Sequence, residues 1–421
     1  MRFFLILTIT LVGSVLSIRS FTFASCFYVW VILFRPLNFV HDPTQFLFIS
    51  NWAGILLVGA LVFGRKDWKF RLNIGGIFQI IILIICFISS LFSLAEFESQ
   101  AEFITICKII IPIFIITSCV HKEKTLLLIG SIIALSVGIW AVQAGLHGLL
   151  TGKAETTMRL GGQMSDRNDF AVGILMTLPI CYYLTSNISK MRLKLFSYLF
   201  TLLVAISVIV SNSRASILGL IILIIIQIFI EEKHKIKKLF LLFLLIIIGP
   251  QMLPSYTIER LNTINWGGEQ SESSARSRIV LMKSGFMAAE DNPLLGLGPG
   301  AWKVFAPMYI PDNTGAAYEP HSIWSKIAAE LGFIGLSAYT SMFIIILYSL
   351  RKIQRESYKL KSTMYNNLSK MFQLSILAYC IAGSFFNQIY FEYMFLIVGL
   401  SGSFMKIWAE KKLNIEASYG K

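Results

Sequence analysis

Long apolar runs dominate this chain and restrict what it can fold into. A helix needs about 20 residues to cross the roughly 30 Å hydrocarbon layer of a membrane. With 56% hydrophobic and only 14% charged residues, the chain also lies far from soluble averages. The sequence therefore predicts an all-α fold, a polytopic helical membrane protein. The thirteen candidate spans are 3–17, 21–40, 46–63, 75–94, 104–120, 126–148, 169–186, 195–212, 214–231, 238–256, 322–350, 370–388 and 391–408.

Basic residues indicate how these spans are oriented. Lys and Arg cluster in every second loop, and short loops rich in Lys and Arg remain on the cytoplasmic side. The same clustering accounts for the formal charge of +14 and argues against nucleic-acid binding. The less basic loops between them, including the long one at 258–320, are expected outside. The basic segments are 64–71, 122–124, 190–194, 233–238, 351–370 and 411–412.

The first two runs leave the number of spans open. Run 3–17 is short and run 21–40 contains Arg35-Pro36, so one of them is a candidate re-entrant or interfacial piece. About twelve spans would then place both termini inside. We interpret 1–421 as a single membrane domain with one large extracytoplasmic loop, 258–320, inserted between two spans. The six cysteines lie singly in apolar runs and predict neither a disulfide framework nor a metal site.

The large loop contains a predicted amphipathic helix from Ser271 to Asp291. At about 100° per residue, Arg278 lies about 60° from the centre of an apolar stripe, whereas Arg276 points about 100° the other way. An arginine bordering a buried face can offer its planar guanidinium to a phosphate, or it can simply cover apolar surface with its stem. The stripe consists of Ala275, Ile279, Met282, Phe286 and Ala289.

A second arginine, Arg214, begins a span on the same outer side. Ser213 is a candidate N-cap, which puts Arg214 in the first turn, where the helix dipole disfavours a cation. This local conflict indicates an anion site built from free N–H groups and a guanidinium, with interfacial anchoring as the alternative.

The span after the large loop opens with His321, whose imidazole can accept a proton near neutral pH. Lys326 and Glu330 are four residues apart and are expected to pair, and we interpret Glu330 as structural. Arg159, in a third outer loop, is a candidate contact for a sugar or a pyrophosphate, although a solvated connector is the simpler interpretation.

Several motifs follow one another along the chain. They are Ser213-Arg214 opening a span, Arg278 fourteen residues before Asn292-Pro293-Leu294, the turn Gly296-x-Gly298-x-Gly300, and His321-Ser322 followed by Glu330-Leu331-Gly332-Phe333-Ile334-Gly335. In this order they resemble the O-antigen ligase family of membrane glycosyltransferases. The resemblance covers roughly 160–350, and the N-terminal part is more loosely similar to exosortase-associated O-glycosylation ligases. A tryptophan common in the family four residues after the loop arginine is Met282 here.

The resemblance implies a fold similar to the GT-C membrane glycosyltransferases and a specific reaction. A preassembled glycan would pass from an undecaprenyl-diphosphate carrier to a lipid or protein hydroxyl at the outer face of the bacterial inner membrane, without metal or cofactor. It also implies that Arg214 and Arg278 hold the donor diphosphate and that His321 orients or deprotonates the acceptor. Arg159 and Arg276 are further candidates for donor binding.

Two other functions remain open from the sequence. A polysaccharide polymerase would use the same lipid donor and similar external residues. A transporter is disfavoured because the spans contain few charges, mainly Lys108, Lys326 and Glu330, and show no inverted halves.

Overall fold

The computed structural model describes residues 2–39, 48–65, 67–151, 163–211, 213–231, 236, 269–310 and 319–419. Within these ranges the chain forms fourteen α-helices and no β-strand. The all-α prediction is confirmed, while the predicted span 238–256 lies outside the described residues. The helices are α1 (Arg2–Arg19), α2 (Phe21–Phe34), α3 (Ile49–Phe63), α4 (Ile74–Leu91), α5 (Glu96–Cys119), α6 (Glu123–Thr151), α7 (Arg167–Thr185), α8 (Met191–Val210), α9 (Arg214–Ile230), α10 (Glu269–Asp291), α11 (Trp302–Tyr309), α12 (Ile323–Lys359), α13 (Thr363–Gly383) and α14 (Glu392–Tyr419), with a short 3-10 helix at Pro36–Phe39.

Apolar helices long enough to cross a bilayer confirm a polytopic membrane protein. Among the described residues, α4, α5, α6, α8 and α12 satisfy this condition by length and composition, and α1, α2, α3 and α9 are shorter apolar helices. Both of the doubtful first runs are helical, with 18 residues in α1 and 14 in α2, and these two helices pack against each other and against α3.

One end of the helical bundle carries the basic connections, and we call it the basic end. There the N–H of Arg71 donates to the carbonyl of Ser118 at 2.7 Å, which joins the α3–α4 connection to the end of α5. Asn367, near the start of α13, donates to Ser186 Oγ at 2.9 Å, just after α7. Lys69, Lys122, Lys190 and Lys361 lie in or beside these connections.

The opposite end, which we call the loop end, holds the large loop. Ser93, between α4 and α5, donates to the carbonyl of Leu297 at 2.6 Å. Gln163, just before α7, donates to the carbonyl of Tyr390 at 2.8 Å, between α13 and α14. The alternation of basic and less basic loops read from the sequence therefore corresponds to two separate ends of the bundle.

Close approach of helices depends on small residues at their contacts, as is common in membrane proteins. A Cβ added to Gly399 of α14 would meet Thr117 Cγ2 of α5 at 2.7 Å, and one added to Gly75 of α4 would meet Gly399 Cα at 2.9 Å. The buried core between these helices includes Phe395 and Phe404 of α14. Helix α14 is therefore held tightly against α4 and α5, which also carry the turn that contacts the large loop.

Helix α12, which corresponds to the predicted span 322–350, is interrupted at Gly332. Gly332 has φ 64° and ψ −169°, so the helical hydrogen bond from Phe333 to Ala329 is not made. The N–H of Phe333 instead donates to Pro293 at 2.8 Å, and the carbonyl of Ala329 accepts from Leu297 at 2.8 Å. The glycine-rich turn of the large loop thus fills the break, because backbone groups away from water need partners.

Candidate functional site

His321 lies at the loop end, one residue before the N-cap of α12. Its backbone is left-handed, with φ 47°, and its side chain is exposed. The adjacent Ser322 is extended and buried, so the chain turns sharply from the imidazole into the helix. This conformation presents the ring at the surface of the bundle instead of along the helix.

The charge environment of His321 favours the neutral imidazole. Partial desolvation by neighbouring atoms lowers its pKa below the ordinary 6.5, and the positive charge of Arg278 lowers the pKa further. The carboxylates of Glu319 and Asp166 act in the opposite direction without reversing the shift. At pH 7 the ring is therefore mostly unprotonated and able to accept a proton.

The loop helix α10 brings Arg278 to this position. The hydroxyl of Ser325 in α12 donates to the carbonyl of Met282 at 2.7 Å, and a Cβ added to Gly285 would collide with that same hydroxyl. Helices α10 and α12 therefore approach closely, and Arg278, which is exposed, lies on α10 one turn before this contact. Arg278 is near enough to His321 for its charge to lower the pKa of the imidazole.

The predicted apolar stripe of α10 was wrong in its rotation. Ile279, which was assigned to it, is 50% exposed. The helix packs through smaller side chains because α12 approaches too closely for large ones. The observed packed face lies at a different position around the helix from the predicted one, and Arg278 borders it as well. Among the described side chains of α10, from 278 to 291, the buried residues are Leu281, Ser284, Gly285, Ala288 and Ala289.

The backbone of Arg214 begins α9 at the same end of the bundle. A Cβ added to Gly219, further along α9, would meet Ile381 Cγ2 of α13 at 3.9 Å, and one added to Gly383 of α13 would meet Ile323 Cγ1 at 3.1 Å. Helix α13 therefore connects the start of α9 with the start of α12. Ser213 occupies the N-cap position, but no side-chain capping hydrogen bond forms; its hydroxyl accepts from Ser216 at 3.1 Å.

Three predicted positions cannot be placed as side chains. The side chains of Arg214 and Arg276 lie outside the described residues, and so does Arg159, within the stretch 152–162. For Arg276 the backbone belongs to α10.

A partly buried ionic cluster joins the turn at His321 to α12. Lys326 Nζ is 2.7 Å from Glu319 Oε2 and 4.0 Å from Glu330 Oε1. The second distance confirms the predicted pair. Glu330 also accepts from the hydroxyl of Tyr390 at 3.3 Å and from the N–H of Gly300. Glu319 was missed because nothing in a polar loop distinguishes one carboxylate from another.

Two further acidic residues face this region from the start of α7. Asp166 caps α7 by accepting from the N–H of Asn168 at 2.7 Å. Asp169 is buried and accepts from Gln388 Nε2 at 3.3 Å. The sequence contained one available signal for them, namely two carboxylates at the first turn of an apolar span on the outer side.

A family model described as O-antigen ligase matches residues 199–340. Over these residues, which are about a third of the chain, the sequence is similar to the O-antigen ligase family. No curated protein matches the chain.

The O-antigen ligase segment includes much of the candidate site. It spans Arg214, Arg278, His321 and the Lys326–Glu330 pair, whereas Asp166 and Asp169 precede it. The family is one of enzymes that join glycans. In the described part of the chain, no group of three or more His, Cys, Asp or Glu side chains has an arrangement suited to a metal ion.

Proposed function

We propose that this chain transfers a preassembled glycan from an undecaprenyl-diphosphate carrier to a hydroxyl of a lipid or protein acceptor. The reaction would take place at the outer face of the bacterial inner membrane. The observation that carries the proposal is the proximity of Arg278 to a neutral His321 within the segment that matches the O-antigen ligase family.

In this proposal Arg278, together with Arg214, binds the donor diphosphate. A guanidinium presents several N–H donors to phosphate oxygens and keeps its charge at all relevant pH values. Its positive charge stabilises the diphosphate as negative charge develops on it. Arg276 and Arg159 would assist in holding the donor.

His321 acts on the acceptor as general base. The acceptor oxygen bonds to the anomeric carbon of the glycan, and the bond from that carbon to the diphosphate breaks. The electron pair leaves with undecaprenyl diphosphate, and the acceptor proton passes to the imidazole of His321. A pKa below 6.5 suits this role because the ring is unprotonated before the reaction.

The proposed orientation of the protein in the membrane follows from its basic end. Loops rich in Lys and Arg remain in the cytoplasm, and the candidate site lies at the other end of the bundle. Its position there would give it access to an acceptor and a glycan outside the cell.

Product analysis with purified protein in bilayers tests the function. We expect a donor with a radiolabelled lipid to yield undecaprenyl diphosphate, and a donor with a labelled glycan to yield one whole glycan on a non-glycan acceptor. Growth in repeat number would instead identify a polysaccharide polymerase. Movement of intact donor across the bilayer without any cleavage would contradict both enzymes and support a transporter.

A further inference from the structure

The strongest feature outside the proposed chemistry is the contact between Lys326 and the turn that carries His321. Glu319, Pro320 and His321 are consecutive, and the next two residues enter α12. The carboxylate of Glu319 contacts α12 through a 2.7 Å ion pair with Lys326. The turn is therefore closed by one charge pair around the left-handed His321.

We infer that the Glu319–Lys326 ion pair is a positioning device that holds His321 in its working orientation. This inference rests on the proposed function, because that function gives the imidazole its task. Neither Glu319 nor Lys326 is assigned contact with the reacting atoms.

The left-handed backbone of His321 needs such a restraint. A side chain at positive φ is sterically disfavoured for residues other than glycine, and such conformations persist where surrounding contacts impose them. Within the described residues 319–326, the N–H of Lys326 donates to the carbonyl of Ser322 at 3.0 Å, which is ordinary helical bonding. The Glu319–Lys326 ion pair, in contrast, spans the turn.

Lys326 is itself held on its other side. Its side chain is only 14% exposed, and Glu330, which it also faces, is fixed by Tyr390 and the N–H of Gly300. Gly300 belongs to the turn that fills the break in α12. The ammonium of Lys326 is consequently held in place. Glu319, which is 23% exposed, lies on the surface side of the pair.

This arrangement predicts that Glu319 acts on His321 in two ways. Its carboxylate holds the turn, and its charge also opposes the effect of Arg278 on the imidazole. Among the described residues, the charged groups that act on the ring are Arg278 from α10, Glu319 from its own turn and Asp166 from the start of α7. Changing Glu319 to glutamine keeps the shape and removes the charge.

The test uses Glu319→Gln, with Glu98→Gln as matched control. Glu98 is an exposed carboxylate at the loop end, in the first turn of α5. We expect Glu319→Gln to lower kcat for glycan transfer about 10- to 100-fold, with little change in KM, because misplacement of a catalytic group by about 1 Å can cost a factor of about 100. Glu319→Asp should recover part of the loss, and Glu98→Gln should behave as wild type.

A second readout does not depend on transfer activity. In NMR titration of histidine-labelled full-length protein, with the His321 signal assigned by its loss in His321→Asn, Glu319→Gln should shift the His321 pKa downward and broaden or move the signal. A merely structural loss would lower thermal stability without this directed shift.

The outcomes separate the two proposals. Folded Glu319→Gln protein with the His321 signal and pKa of wild type would overturn the positioning role, whatever the activity. If wild-type protein transfers no glycan, the proposed function fails, while the NMR result still decides whether Glu319 fixes the ring. Lys326→Met, if it folds, should reproduce the kcat loss; full kcat in that variant would also overturn the inference.

Discussion

At the scale of single residues, the pKa of His321 depends on charges from distant parts of the chain. Arg278 is 43 positions earlier and Asp166 still farther, yet both affect its pKa. The sequence identified His321 and Arg278 as separate candidates because each borders an apolar segment on the outer side. It could not reveal their mutual effect, which depends on how α10 seats against α12.

Replacement of Arg278 by glutamine should raise the pKa of His321. The positive guanidinium disfavours protonation of the ring, so its removal makes the charged imidazole easier to form. Histidine NMR of the folded variant measures the shift. Lys303→Gln, which removes an exposed cation from α11, is the control and should leave the His321 titration unchanged. An equal or lower pKa in Arg278→Gln would contradict the electrostatic effect of Arg278 on His321.

At the scale of elements, the break in α12 links the glycine turn to the site. Gly332 has φ 64°, and an added Cβ would lie 2.6 Å from the carbonyl carbon of Leu294. The same turn provides the N–H of Gly300 that binds Glu330. The glycines therefore allow the glycine-rich turn and the break in α12 to form hydrogen bonds with each other's backbone groups.

We expect Gly332→Ala to destabilise the protein by about 1–3 kcal/mol or more, because strained backbone and a collision with Leu294 coincide. Gly59→Ala is the matched control: Gly59 lies in α3, and an added Cβ would meet nothing within 4 Å. Alanine also favours a helix over glycine. Thermal unfolding in detergent compares the two variants. Equal melting temperatures would refute the account of the break.

Helices could be predicted from the sequence better than their irregularities. Apolar length located most helices within a few residues, and α10 was expected as Ser271–Asp291 and observed as Glu269–Asp291. Hydropathy did not reveal the interruption at Gly332, since the surrounding residues are apolar on both sides. The rotation of α10 was also missed, because its contact is made by Ser284 and Gly285 and not by its large side chains.

At the scale of the whole molecule, the two ends of the bundle have different compositions. Basic loops gather at one end, and the large loop with His321 gathers at the other. This division was predicted from loop charge alone, because the positive-inside tendency acts on local sequence. Loop charge does not predict which helices are neighbours in the bundle. It therefore could not show that α13 connects the start of α9 with the start of α12.

Sidedness can be measured with single cysteines added at each end. Lys303→Cys at the loop end should react with a membrane-impermeant maleimide in intact cells, after passage through the outer membrane. Lys190→Cys at the basic end should react only after the inner membrane is permeabilised. Both side chains are exposed, and the native cysteines lie buried or half-buried within helices. The reverse labelling pattern would place the candidate site in the cytoplasm and contradict the orientation.

The central claim is that Arg278 and His321 perform glycan transfer, and turnover of a labelled undecaprenyl-diphosphate donor tests it most directly. In folded protein, His321→Ala should reduce release of undecaprenyl diphosphate about 10²- to 10⁴-fold, as expected for a general base. Arg278→Ala should reduce it about 10²- to 10³-fold, as expected for a group that stabilises developing charge. Lys303→Ala should remain within about twofold of wild type, since a surface substitution away from the site has little effect. Wild-type turnover in both folded site variants would contradict the account.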